Sequence, residues 1–277
     1  MIESKFWLSL GGGVQSTAMA LMIMDKTIDI PLDGIVFADT GGELPSTYDN
    51  IYRVKKIAEA NNVEFKIVKR SEFFNDKFSD LRSAILSPYT KKNGEEGSSF
   101  FGIIPMKIYN GEKSVMLRHQ CASNFKIRPM EKFLKIKYPK EKIIQYIGIS
   151  TDEIQRMRKS PPGKFESRFP LIKFRKNRND CLLYLQKLNW IVGKSRCYFC
   201  PHQKSHEWDE VKTNYPDLFK NAIEIDEFIR HHKYIRNNKY SNAEAYLYKR
   251  NPIASAKFID EKEVDLFDYE CGGHCAL

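Results

Sequence analysis

The sequence predicts an α/β fold: a doubly wound, mainly parallel sheet followed by a mostly helical, cysteine-containing C-terminal region. Three observations carry this. Over the first half of the chain, apolar runs of strand length alternate with helix-length segments, the pattern of parallel βαβ units with helices on both faces of a sheet. The first two apolar runs each end in a glycine-bearing turn, as strands do where an open sheet meets a ligand crevice. The 277-residue chain contains no apolar run of the length that spans a membrane, which takes about 18 residues or more.

Taken in order, Phe6-Trp7-Leu8-Ser9-Leu10 is the first expected strand. Gly11-Gly12-Gly13 turns the chain into an apolar helix over residues 17–24. Ile35-Val36-Phe37-Ala38 is the second strand, closed by Asp39-Thr40-Gly41-Gly42. Ser46 or Thr47 caps the next helix, whose Ile51, Val54, Ile57 and Ala58 recur at helical spacing. Phe65-Lys66-Ile67-Val68 is the third strand. The pattern loosens over residues 71–116, where a polar, glycine-bearing stretch at 87–99 reads as an exposed loop or lid. Pro129 sits where a first helical turn tolerates proline, and residues 143–149 form a late core strand. Pro161-Pro162-Gly163 then breaks the chain. It sets the expected boundary between an α/β nucleotide-binding domain, residues 1–160, and a helical region, residues 161–277, with helices over 180–188 and 205–224.

The formal charge is +10. Such a surplus favours an anionic partner (nucleotide, nucleic acid or acidic protein) over the plainer alternative of a lysine-rich surface. The N-terminus shows no basic segment, signal-length apolar stretch or small-residue cleavage site, so a cytoplasmic location without membrane partners is expected. The six cysteines, in a chain of this length with no export signal, suit metal binding or redox chemistry better than a disulfide framework.

Ser9-Leu10-Gly11-Gly12-Gly13-Val14-Gln15-Ser16-Thr17 is the first candidate site. Glycines let the backbone approach a phosphate closely. The N–H groups of the turn and the positive end of the following helix attract the anion. Ser9, Ser16 and Thr17 add hydroxyl donors. An ordinary βα turn is the alternative. The loop lacks the Gly-Lys-Ser/Thr ending of the common nucleoside triphosphatase loop, and its contiguous glycines do not match a Gly-x-Gly-x-x-Gly dinucleotide turn.

These residues resemble the PP-loop of the ATP pyrophosphatases and, more closely, the loop of the phosphoadenylylsulfate (PAPS) reductase family. Asp39-Thr40-Gly41 with Pro45-Ser46-Thr47 resembles the Asp-Thr-Gly…Pro-x-Thr segment of that family. The resemblance implies a Rossmann-like, HUP-type PP-loop domain that binds ATP or PAPS, with Ser9, Gly11, Gly12, Gly13, Gln15, Ser16, Thr17, Asp39, Thr40, Gly41 and Gly148 around the nucleotide. Gln15 departs from the pattern, because the pyrophosphatase loops carry aspartate there and the reductases lysine. A glutamine supplies neither a carboxylate for Mg²⁺ nor a cation for phosphate, which leaves Asp39 as the candidate magnesium ligand and catalytic carboxylate. A strand-terminal carboxylate that caps its own turn is the alternative for Asp39.

Three further blocks follow in family order. The segment from Arg118 and His119 through Cys121 and Lys126 to Arg128-Pro129 resembles a Cys…Lys-x-x-Pro block; Gly148 to Arg156 resembles Gly-x-x-x-x-Glu-x-x-Arg; and Cys197-Tyr198-Phe199-Cys200-Pro201 completes the set. By resemblance Lys126 and Arg156 act on phosphate or developing negative charge, with a solvated basic face as the alternative for them and for Arg128 and Arg158. Cys-x-x-Cys brings two thiolates within reach of one metal or cluster. The family implies a four-iron, four-sulfur (4Fe–4S) cluster, for which Cys121, Cys181, Cys197 and Cys200 are the expected ligands. Zinc, with His202 or His206 contributing, and no metal at all are the alternatives. The C-terminal Glu270-Cys271-Gly272-Gly273-His274-Cys275 resembles the reductase tail whose cysteine attacks the sulfonucleotide sulfur. It makes Cys271 a candidate nucleophile, His274 its activator and Cys275 a resolving thiol.

Three functions fit these motifs. The first is ATP-dependent adenylation and thiolation of a nucleic-acid acceptor, tRNA or DNA. The basic charge and the C-terminal aromatics Trp208, Tyr215, Phe219, Phe228, Tyr234, Tyr240, Tyr246 and Tyr248 suit this reading, although those aromatics also suit a core. The second is sulfonucleotide reduction by Cys271. The third is a non-catalytic nucleotide sensor or DNA-binding subunit working with a partner protein of a modification system.

Overall fold

The computed structural model describes residues 3–75, 78–90, 96–98, 103–109, 114–116, 120–158, 163–231 and 244–258. In chain order the elements are β1 (Ser4–Leu10), α1 (Val14–Met24), β2 (Gly34–Asp39), α2 (Pro45–Ala60), β3 (Glu64–Lys69), α3 (Leu81–Leu86), β4 (Pro88–Thr90), β5 (Glu96–Ser98), β6 (Lys107–Tyr109) and β7 (Ser114–Met116). They continue with α4 (Arg128–Lys137), β8 (Lys142–Ile147), β9 (Phe165–Arg168), α5 (Pro170–Lys173), α6 (Arg178–Lys187), α7 (Ser205–Asn214), α8 (Pro216–His231) and β10 (Glu244–Tyr246). A π-helical turn, Ser123–Ile127, leads into α4, and a 3-10 helix, Thr151–Arg156, follows β8.

The chain divides into two compact units, and neither is continuous in sequence. Among the described residues, the first takes in the chain up to Phe74 and Ala122–Arg196; the second takes in Asn75–Cys121 and the described residues from Cys197 onward. The boundary expected near residue 160 is therefore displaced. The chain leaves the first unit at residue 75, returns at 122, and stays for a further strand and helix beyond the prolines at 161 and 162.

The first unit is an α/β, Rossmann-like sheet of five parallel strands in the order β3-β2-β1-β8-β9. Strand alternation builds its two faces. Leu8, Leu10, Ile35, Phe37, Ile144 and Tyr146 join the α1, α2 and α6 side chains in one core. Their neighbours Trp7, Val36, Ala38 and Ile143 join Met130 and Leu134 of α4 in the other. A period of two places successive side chains on opposite faces, and a parallel sheet buried on both faces needs apolar residues at every position. This is why these runs are apolar throughout rather than alternating. The helix α1 is buried along its whole length, and its lack of any charged residue is the sequence trace of that burial. The order places β1 between β2 on one side and β8 on the other, so the chain switches direction there. Ligand crevices form at the carboxyl ends of such strands, and those ends carry Gly11 and Gly148.

Within the second unit, residues read as a lid carry real structure. Ile103, Ile104, Met106 and Ile108 are buried, β6 pairs with β7 and β10, and β4 pairs with β5. The apolar residues 103–108 thus belong to packed structure, while residues 91–95 and 99 of the polar stretch read as a loop lie outside the described residues. The helix expected over 205–224 is two helices, since Pro216 starts α8 and cannot continue α7. Trp208, Phe219, Tyr246 and Tyr248 are buried, and Trp208, Phe219 and Tyr248 all pack on Phe258. These aromatics build the core instead of offering faces to bases. Tyr234 and Tyr240 lie outside the described residues. Asp226, almost fully buried, accepts N–H bonds from Leu247 at 2.9 Å and Ile253 at 3.2 Å and pairs with Arg230. It ties the segment after β10 to α8. Burial raises its pKa above the ordinary carboxylate value, against the pull of these partners. No described helix is long and apolar enough to cross a membrane.

Candidate nucleotide site

The loop between β1 and α1 is held from several sides. Gly12 has φ +81°, and a Cβ there would lie 2.9 Å from Thr47 Cγ2 and 3.1 Å from Ile51 Cδ1. Only glycine meets both conditions. Asn50 Nδ2 donates to the Gly12 carbonyl at 2.9 Å and to Thr17 Oγ1 at 2.8 Å, and Trp190 Nε1 donates to Asn50 Oδ1 at 2.8 Å. Ser195 Oγ donates to the Gly11 carbonyl at 2.6 Å. By contrast, a Cβ on Gly11 or Gly13 would meet nothing among the described residues closer than 3.7 Å. Their missing side chains answer no crowding from the protein and leave room beside the loop. Gly13 is the N-cap of α1 and makes no side-chain cap, and the first turn carries no acidic residue. An uncapped helix start of this kind is the positive end of a dipole. The residues present therefore fit a phosphate group.

Several expected ligand residues serve the frame instead. Thr17 is fully buried with its hydroxyl taken by Asn50. Ser16 Oγ accepts from Gly11 N at 3.2 Å and donates to the Gly13 carbonyl at 3.3 Å, so it braces the turn. Ser9 is buried near the end of β1. A Cβ on Gly148 would stand 2.8 Å from Ser16 Cα and 2.9 Å from Ser16 N. Gly148 is the contact that lets the end of β8 lie against the start of α1.

The segment after β2 is similarly self-contained. Asp39 Oδ1 accepts from Gly41 N at 2.8 Å and from the Tyr48 hydroxyl at 2.6 Å, while Oδ2 lies 3.4 Å from Lys69 Nζ. Thr40, also buried, accepts from Gly42 N at 3.2 Å. These contacts make the turn-capping alternative for Asp39 the better description. Glu43 is a residue that sequence reasoning missed. It is buried beside the loop, pairs with Lys126 Nζ at 2.9 Å, and accepts from Ser195 Oγ at 3.3 Å. Lys126, expected to act on phosphate, is thus joined to a buried carboxylate. Glu153 takes Arg156 in the same way and also accepts from Gln15 Nε2 at 3.2 Å. Asp39, Glu43 and Glu153 are thus each engaged by a cation or a donor.

The described cysteines are divided between the two units. Cys197 and Cys200 bracket a turn closed by Cys200 N–H on the Cys197 carbonyl at 3.0 Å. Cys121 N–H donates to the Ile103 carbonyl at 2.7 Å. All three belong to the second unit. Cys181 lies fully buried in the core of the first unit, among the residues joining α6 to α1. Burial pushes its thiol up to about 12, which disfavours the thiolate a metal requires. Cys181 is a core residue of the first unit. Among the described residues no group of three His, Cys, Asp or Glu side chains gathers to hold a metal. His119, Arg118, Cys271, His274 and Cys275 lie outside the described residues. Alkylation followed by mass spectrometry is expected to label Cys181 only after denaturation; equal labelling of the native protein would overturn its core assignment.

No family model matches the chain. An uncharacterized protein of Methanocaldococcus jannaschii, MJ0973, is 27% identical over 230 residues. The match covers 78% of this chain and 46% of that protein, so the chain spans about half the length of the curated relative it matches. Among solved structures, the U34-tRNA thiolase NcsA from Methanococcus maripaludis with its 4Fe–4S cluster aligns with a TM-score of 0.42 and 14% identity, over 83% of this chain and 74% of that chain.

Proposed function

We propose that this chain is a PP-loop enzyme that binds ATP at the Ser9–Thr17 loop and adenylates a nucleic-acid acceptor for sulfur transfer. The observation that carries the reading is the uncapped start of α1 behind Gly11 and Gly13, at the switch point of a parallel sheet. The +10 charge of the chain supports an anionic acceptor. In this reaction an acceptor oxygen attacks the α-phosphorus of ATP and pyrophosphate leaves. A sulfur nucleophile then attacks the activated carbon and AMP departs with the oxygen. The chain's part is to fix the phosphates by backbone N–H groups of the loop and to hold cations near the developing charge. No step is assigned to a metal or cluster.

The test is anaerobically purified protein incubated with labelled ATP or labelled PAPS, with and without bulk tRNA or DNA. Pyrophosphate release that depends on the nucleic acid is the expected result. Sulfite release from PAPS, lost in Cys271→Ser, would overturn adenylation in favour of reduction. ATP binding with no turnover on any acceptor would overturn it in favour of a sensor.

A further inference from the structure

We propose that Arg178 is a phosphate-contacting residue of this nucleotide site and that Gln15 is the residue that positions it; the proposal rests on the nucleotide reading of the loop. Gln15 sits in the first turn of α1 and is buried. Its amide faces two groups with opposite demands, and it satisfies both. Oε1 accepts from Arg178 Nη1 at 2.9 Å, and Nε2 donates to Glu153 Oε2 at 3.2 Å. Rotating the amide by half a turn would set NH₂ against a guanidinium and oxygen against a carboxylate, so its orientation is fixed. Lysine has only donors and would confront Arg178; aspartate has only acceptors and would confront Glu153. Glutamine is the residue type that joins the two.

Arg178 is equally well held at its backbone. It opens α6, where Asn177 and Asp180 form a reciprocal cap, and its own N–H donates to Asp152 Oδ1 at 3.0 Å. From that fixed start its side chain reaches the first turn of α1. A guanidinium at the first turn of a helix adds its charge to the positive end of the helix dipole and strengthens the attraction for an anion. The segment Ser9–Thr17 contains no lysine or arginine, so the cation for a polyphosphate has to come from another element, and α6 delivers one. A second observation points to a ligand here. Ser150 is fully buried, and its hydroxyl has no hydrogen-bond partner among the described residues. It lies two residues beyond Gly148, which packs on Ser16, and its carbonyl accepts from Glu153 N at 3.0 Å. Buried hydroxyls of this kind ordinarily have a partner. Arginine suits phosphate because its fork presents parallel donors.

The test is calorimetric titration of wild type, Arg178→Ala, Arg178→Lys and Gln15→Leu with ATP, ADP, AMP and adenosine. Arg178→Ala is expected to weaken ATP by about 10–100-fold, the scale of one charge-assisted contact, and to leave adenosine unchanged. Arg178→Lys is expected to recover part of the loss, and Gln15→Leu to reproduce the same dependence on phosphate number. Circular dichroism of each variant identifies any that fails to fold, and Gln15→Leu and Arg178→Lys then decide. An equal loss for all four ligands, or unchanged ATP affinity, would overturn the role of Arg178. If wild type binds none of the four, the nucleotide reading itself fails, which is a separate outcome.

Discussion

Replacing Gly12 with alanine is expected to cost about 2–5 kcal/mol of stability, from a left-handed backbone and an overpacked contact acting together. The left-handed conformation, φ +81°, disfavours any Cβ. The same Cβ meets Thr47 Cγ2 at 2.9 Å and Ile51 Cδ1 at 3.1 Å. Both belong to α2, so relief of the clash must move either that helix or the loop. Moving the loop also breaks the Asn50 bond to the Gly12 carbonyl. Urea unfolding with hydrogen exchange of α1 measures the loss. Gly193→Ala, where an added Cβ meets nothing within 4 Å, is the matched control. A Gly12→Ala protein with wild-type protection in α1 would sink the argument.

Lys126→Met is expected to be comparably damaging for a different reason. The Glu43 side chain is fully buried and Lys126 is its ion-pair partner. Removing one member of such a pair strands a charge in low dielectric, at a cost of about 3–5 kcal/mol. The double variant Lys126→Met with Glu43→Gln removes the stranded charge and keeps an acceptor for Ser195. It should therefore recover most of the stability lost by the single variant. The double variant also separates packing from chemistry. If Lys126 acts on the nucleotide, stability returns and pyrophosphate release does not. A single variant as stable as wild type would show that the pair contributes nothing.

Much of this frame was legible from sequence. The strands ending at Leu10, Asp39 and Ile147 stand where the apolar runs end, because a sheet buried on both faces leaves an uninterrupted apolar signature. The glycine turn was legible as well, since few other purposes explain three glycines between a strand and an apolar helix. What could not be read were the partners. Asn50, Trp190, Ser195, Glu43 and Arg178 owe their places to contacts between distant segments, and no local pattern marks them. Gly148 and Thr17 matched motif positions, yet motif spacing does not distinguish a residue that touches a ligand from one that supports the loop. The burial of Cys181 in the first unit's core is likewise something only tertiary packing reveals. β9 was hidden because the prolines at 161 and 162 look like an ending, although the sheet gains its last strand just beyond them.

The bond from Ser195 to the Gly11 carbonyl spans 184 residues, and it has a consequence in time. The hydroxyl that fastens the glycine turn is made 184 residues after the turn itself. At a synthesis rate of about 5–20 residues per second, the interval is about 10–40 s. Throughout that interval the nascent loop lacks one of its fastenings, so the turn is complete only after the strands and helices that separate the two segments in sequence have been made.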